Sequence, residues 1–234
     1  MSAELAAVHG GYPALFERLF ARAGLGPERL VHINAREGEL PGPATADAYL
    51  VTGSQHSVYD PLPWIARLAE FCRSAMAAGR PVIGICFGHQ LLAHFFGGRV
   101  APASAGWQIG VQRYQVTQRR AWLAPAASQF ELLASHQDQV VALPPGARVL
   151  AASARCPVAA FELGPLAVGV QGHPEFTRAY ARDLFETRRA QIGDAVCDAA
   201  ASGLAAPLSA DLVTGWLCNF IGHAGSKDRG TDHD

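Results

Sequence analysis

The stretch VIGICFGHQLLAHFFGG, Val82 to Gly98, decides how the chain reads. Val82 to Ile85 is an apolar run with the length of a buried strand. It runs into Cys86, which is set between Gly84 and Gly88. From Phe87 the pattern turns helical, and Gly97 and Gly98 stop it. Strand, glycine-flanked cysteine, helix is the layout of a Gly-x-Ser-x-Gly elbow with sulfur in place of oxygen. In so sharp a turn neighbouring backbones approach closely, and a Cβ at either flank would clash. Cys86 would sit strained above the sheet with its sulfur at a helix N-terminus, where the dipole favours the thiolate. The Phe87 N–H would point toward an oxyanion formed at the sulfur's target. The competing reading is a buried structural cysteine. Cys72 in AEFCRSAM, at helical spacing with Leu68, reads as that kind of core residue.

Two histidines follow the cysteine closely, which raises a metal site as an alternative. His89 and His94 are five residues apart, about 140° around a helix. Zinc ligands on one helix prefer spacings of three or four. No metal site is expected here, and His94 reads as helix packing or surface.

Outward from the elbow, helical and strand patterns alternate. YPALFERLFARAGLG carries Leu15, Phe16, Leu19, Phe20 and Ala23 at helical spacing, with Gly24 as a terminator. LVHI reads as a short strand, and AYLVTGS as a buried strand ending in a turn. Asp60 would cap a helix from Pro61 to about Ala78, ended by Gly79. After residue 98 come IGVQRYQVTQ, FELLAS, QVVAL, RVLAASA and VAAFEL, short strands divided by Gly and Pro, then the apolar strand LAVGVQG. FTRAYARDLFETRRAQIG reads as one amphipathic helix and PLSADLVTGWLCNFIGHAG as the last. The expected fold is α/β: a mostly parallel sheet with helices on both faces and a β-rich antiparallel insertion, or an antiparallel edge of the same domain. In such sheets ligands bind outside the carboxyl ends of the strands. Gly53-Ser54, Cys86, and His173 with Glu175 all fall at such ends.

Composition narrows the chemistry. The chain has 234 residues, 50% hydrophobic and 17% charged, enough for one full core. A net charge of −1 gathers neither nucleic acid nor anionic membrane, and no apolar run reaches the roughly 20 residues of a span. The first residues show no secretory signal pattern. The five cysteines are odd in number and none lies closer than 14 residues to another, so neither a disulfide framework nor a Cys-x-x-Cys site is read. A reduced, cytoplasmic setting follows. Lys227 is the only lysine, in a polar tail expected to fray, so a P-loop and a Schiff-base lysine are both excluded.

A nucleophilic thiol needs a base, and the base an orienting group. VGVQGHPEF offers both. Pro174 biases His173 toward extended geometry, and an extended His173-Pro174-Glu175 would place the two acidic–basic side chains on one side. His173 would face Cys86, and Glu175 would fix the imidazole tautomer.

GICFGHQ together with GHPEF resembles the class I (triad) glutamine amidotransferases, whose fold is a flavodoxin-like three-layer sandwich. TGSQHSVYD and SHQDQVVALP stand where that family has its oxyanion-loop and substrate-loop motifs. The likeness spans about His9 to Arg189 and is nearest to the stand-alone proteins similar to the amidotransferase domain of GMP synthase. It implies that Cys86 attacks the γ-amide of glutamine to form a γ-glutamyl thioester. His173 would shuttle the proton and Glu175 would orient it. The Phe87 N–H and the Gly53-Ser54 turn would make the oxyanion hole. Gln90, Ser135, His136 and Asp138 would lie along the substrate, Asp138 alternatively against a partner. No cofactor is implied. Three functions stay open: release of ammonia for a separate synthase subunit, stand-alone hydrolysis of γ-glutamyl peptides or amines, and a non-catalytic binding role.

The chain departs from the family pattern in two places. Family members open with an apolar strand, whereas Met1 to Gly11 resembles the loop after it, so a sheet without that strand is expected. A synthetase domain is not expected within these 234 residues. Residues 1–192 are read as the amidotransferase-like domain and 193–234 as its helical extension and polar tail, with Trp216, Leu217 and Phe220 as core. Oligomeric state is not readable.

Overall fold

A computed structural model describes residues 1–227. Its helices are α1 (Ala3–His9), α2 (Gly11–Arg22), α3 (Pro63–Ala77), α4 (Phe87–Phe95), α5 (Arg178–Thr187), α6 (Arg189–Ile192), α7 (Asp194–Ser202) and α8 (Ala210–Lys227). Its strands are β1 (Tyr49–Val51), β2 (Val82–Ile85), β3 (Arg99–Pro102), β4 (Gln108–Val116), β5 (Gln129–His136), β6 (Asp138–Ala142), β7 (Ala147–Ala152), β8 (Ala160–Leu163) and β9 (Ala167–Val170). Seven strands form one sheet in the order β1-β2-β9-β8-β7-β4-β5, and β3 pairs with β6 in a separate ribbon.

The expected class is borne out, with a different balance inside the sheet. β1, β2 and β9 are parallel neighbours. The other four pairings are antiparallel, so β4, β5, β7 and β8 of the β-rich middle form the antiparallel part of the main sheet, and β3 and β6 stand apart as the ribbon. Alternation along β2 supplies both faces. Ile83 and Ile85 pack with Phe16 and Phe20 of α2 and Trp216 of α8. Val82 packs with Ile65, Leu68 and Cys72 of α3 and Leu91 of α4. Trp216, Leu217 and Phe220 are buried, as the helical stripe required. A third cluster seats α1, α5 and α7 against β4 and β5 through Leu5, Ile109, Leu133, Tyr180 and Cys197.

Residues 3–9 form α1 and not a strand, so the short β1 is an edge of the sheet. LVHI is a correction: residues 30–33 pair with no strand, and Val31 is 86% exposed. An apolar run of four becomes a strand only if a neighbouring strand takes its backbone groups. A second correction concerns Asp60. Helix α3 starts at Pro63 after Leu62 without a side-chain cap, and the Asp60 carboxylate accepts the Ser57 N–H at 3.1 Å instead. The long helix after residue 176 is broken at Arg188, whose φ of −107° separates α5 from α6. Of the tail expected to fray, Gly225 to Lys227 continue α8 and the rest lies outside the described residues. No single helix among the described residues is long and apolar enough to cross a membrane.

Candidate active site

Cys86 joins β2 to α4 with φ 51° and ψ −95°, the only positive φ outside glycine among the described residues. Such a conformation costs about 1–3 kcal/mol and persists where the surroundings impose it. Those surroundings are the two glycines. A Cβ on Gly84 would land on the Gly88 carbonyl in the first turn of α4. A Cβ on Gly88 would land on the Val51 carbonyl of β1. Each glycine therefore lets α4 seat against a strand at backbone contact. Phe87 opens α4, so its N–H belongs to the first-turn donors that have no acceptor within the helix. Its ring stacks on Trp64 with centroids 5.4 Å apart.

His173 lies three residues beyond β9 and is pinned by its N–H to the Leu133 carbonyl of β5 at 2.8 Å. Its Nδ1 lies 2.7 Å from Glu175 Oε1, and the Cys86 sulfur is close enough to act on its protonation. The Phe176 ring stacks on it at 3.8 Å and 7°. From the other side, a Cβ on Gly53 would lie 2.9 Å from His173 Cε1. Both His173 and Glu175 are 3% exposed. Burial opposes a charge on the imidazole, but the Glu175 carboxylate and the Cys86 sulfur outweigh it and raise its pKa from 6.5 to about 10.

A cleft of about 470 Å³ opens beside the sulfur, and Ser54, Phe87, Gln90, Ser135, His136 and Asp138 line it with Cys86. The sequence-derived positions thus divide into two groups. Seven share the cleft wall, while Gly53, His173 and Glu175 do not line it. The Asp138 carboxylate accepts from the Ser57 and Tyr59 hydroxyls, so it ties the β5–β6 turn to the loop after β1. His136 Nδ1 lies 3.0 Å from the Asp138 carbonyl, and its Nε2 is buried without a partner. Burial lowers its pKa to about 4, so the ring is neutral at pH 7. His89 is fully buried against Phe161, and burial takes its pKa to about 3. It is neutral core.

Gln171 was not picked out from the sequence. It is fully buried, and its Nε2 donates toward Cys86 Sγ at 3.5 Å. Its Oε1 accepts from Gln90 Nε2 at 3.1 Å, and Gln90 Nε2 also donates to the Asp138 carbonyl at 2.8 Å. Gln90 thus spends its amide donors inside the protein. The readable signal for Gln171 was a polar residue directly after the apolar run of β9. Phe176, Trp107 and Arg188 were also missed, since each joins the site through tertiary packing. Among the described residues no group of three His, Cys, Asp or Glu is disposed to hold a metal ion.

A thiol on a strained elbow, beside an imidazole paired with a buried carboxylate, has the arrangement of a cysteine hydrolase site of the elbow type. A family model described as "Glutamine amidotransferase class-I" matches residues 30–186, and the chain belongs to that family. It is an enzyme of the hydrolase and amidotransferase kind. It is 31% identical over 179 residues to gamma-glutamyl peptidase 3 of Arabidopsis thaliana, covering 73% of this chain and 71% of the relative. It is 40% identical over 131 residues to GMP synthase [glutamine-hydrolyzing] of Thermomicrobium roseum, covering 54% of this chain and only 23% of that longer protein. Among solved structures, a glutamine amido transferase from Methylobacillus flagellatus superposes with a TM-score of 0.71, covering 94% of this chain and 92% of the other at 24% identity. At that identity the likeness speaks for the fold alone.

Proposed function

We propose that this chain hydrolyses γ-glutamyl amide bonds through a Cys86 thioester, with glutamine as the first substrate. The observation that carries this reading is the buried His173–Glu175 pair, 2.7 Å apart, with the Cys86 sulfur near enough to raise the imidazole pKa. The sulfur attacks the γ-carbonyl carbon, and the oxygen takes up negative charge opposite the Phe87 and Ser54 N–H groups. The C–N bond then breaks, His173 gives its proton to the departing ammonia, and the γ-glutamyl thioester remains. Water attacks the thioester as His173 takes a proton, glutamate leaves, and the thiol is restored. Glu175 keeps the imidazole in one tautomer throughout.

A second reading, hydrolysis of γ-glutamyl peptides or γ-glutamyl amines, follows from the size of the cleft. About 470 Å³ lies within the roughly 300–1,000 Å³ of pockets for drug-sized ligands, while glutamine has only about ten heavy atoms. The same thioester would release either ammonia or an amino acid. A synthase subunit that consumes the ammonia is the partner proposed for the first reading. The proposed setting is the cytoplasm, consistent with five free cysteines.

The test is glutamate release by purified protein from glutamine and from γ-glutamylglycine, with mass spectrometry to trap a γ-glutamyl adduct on Cys86. Release from glutamine supports the first reading, and release from the peptide without any partner supports the second. Release from neither, with no adduct, overturns both.

A further inference from the structure

Two arginines stand side by side where α5 passes into α6, and their surroundings are opposite. The Arg189 guanidinium bonds three carboxylates: Glu186 at 2.6 Å, Asp194 at 3.3 Å and Asp198 at 2.9 Å. Arg188 has no carboxylate within 4.0 Å among the described residues. Its Nη1 donates to Ser135 Oγ at 2.8 Å and reaches the Ser135 carbonyl at 3.4 Å. Its guanidinium carbon sits 5.8 Å from the centroid of the Trp107 ring. Both contacts fix the group without neutralising it. Nε and Nη2 hold no protein acceptor among the described residues, although a guanidinium is built to offer five donors in a planar fork.

Arg188 also lines the cleft that contains Cys86, together with Trp107 and Ser135. It is the only guanidinium or ammonium side chain on the wall of that cleft among the described residues. The two carboxylates nearest the site are already engaged, Asp138 by Ser57 and Tyr59, and Glu175 by His173. A half-buried cation held by a hydroxyl and a ring, with its fork open to a substrate cleft, fits a planar anion.

We infer that Arg188 is the specificity residue that takes a substrate carboxylate, positioned by Ser135 and Trp107. This deepens the γ-glutamyl reading and rests on it. The carboxylate has two possible sources: the α-carboxylate of the γ-glutamyl group, or that of a departing amino acid. Ser135 then serves by aiming Arg188.

The experiment compares wild type with R188Q and R188K on glutamine, γ-glutamylglycine and γ-glutamylglycinamide, with R189Q as the neighbouring control. Thermal melts verify that each variant is folded. R188Q is expected to raise KM about 10- to 100-fold with kcat little changed, as losing a charge-assisted pair at binding requires. R188K is expected to recover part of the loss, and R189Q to match wild type. A rise on all three substrates assigns the α-carboxylate. A rise confined to γ-glutamylglycine assigns the departing carboxylate. Unchanged KM on all three in folded R188Q overturns the inference while the γ-glutamyl reading stands. Calorimetric titration of L-glutamate and of glycylglycine into wild type and R188Q is independent of turnover. If wild type cleaves nothing but binds one of these anions, and R188Q loses the binding, the γ-glutamyl reading fails and the carboxylate site stands. Equal affinities for both proteins, or binding by neither, overturn the site.

Discussion

The two halves of the sheet contribute to the cleft in different ways. In the parallel half, β1, β2 and β9 all point their carboxyl ends at one edge. Gly53 and Ser54, Cys86, and His173 with Glu175 follow those ends within a few residues. In the antiparallel half, only alternate strand ends face that edge. Ser135 and His136 come from the end of β5, and Asp138 follows at the start of β6 in the separate β3–β6 ribbon. In the proposed reaction the parallel half holds the attacking thiol and its base, while β5 and the start of β6 contribute another part of the cleft wall. The two are stitched by backbone and amide bonds: His173 N–H to Leu133, and Gln90 Nε2 to Asp138. Chemistry should therefore fail when the first half is altered, and binding should fail when the second is.

The largest effect is expected at the elbow. Cys86→Ala should lower glutamate release by more than about 10⁴-fold while calorimetric binding of L-glutamate persists. Retained activity would remove the thiol from its role and dissolve the distinction between the halves. Glu175→Gln should lower kcat on the order of 10³-fold, because the amide leaves His173 free to take the wrong tautomer. A pH–rate profile would follow that change, since the carboxylate is one of the two groups holding the imidazole proton. On that other part of the wall, Asp138→Asn should raise KM about 10-fold with a small change in kcat, as the loop carrying Ser57 and Tyr59 loosens. A kcat loss as large as that of Glu175→Gln would place Asp138 in the chemical half.

Acid should weaken both halves together. His89 on α4 and His136 on β5 have pKa values lowered by burial to about 3 and about 4, against 6.5 when unfolded. Between pH 6.5 and about 4 the unfolded chain binds more protons than the folded one, so stability falls as pH drops through that window. The loss should reach several kcal/mol, on the order of a few per ring, in urea melts at pH 7, 5.5 and 4. His173 works in the other direction. With its pKa raised to about 10, its contribution is complete below pH 6.5 and fades as pH rises toward 10. The smallest effect is expected at Cys72, buried in α3 with its pKa pushed up by burial to about 12. Cys72→Ala should leave kcat and KM unchanged and cost about 1 kcal/mol in a melt.

The same contrast explains what was legible. Gly84-x-Cys86-x-Gly88 and His173-x-Glu175 could be read because local sterics and strand ends place them, and both demands are written in adjacent residues. LVHI could not be judged, because a strand exists only with a partner and Val31 found none. Asp60 looked like a helix cap, yet its carboxylate had a nearer use at Ser57. Gln171, Trp107 and Arg188 carry no local pattern that marks them. Adjacent Arg188 and Arg189 are identical in the sequence. One meets three carboxylates on the surface, and the other meets a ring and a hydroxyl inside the cleft.

By itself, then, the sequence determined the elbow, the imidazole–carboxylate pair and the α/β class, since short-range geometry and apolar periodicity specify them. Only the tertiary structure decided between an insertion and an antiparallel edge of the same sheet, and only it showed that Gln171 reaches the sulfur and that Arg188 faces the cleft. Those depend on strand register and packing between segments tens of residues apart, which no local rule encodes.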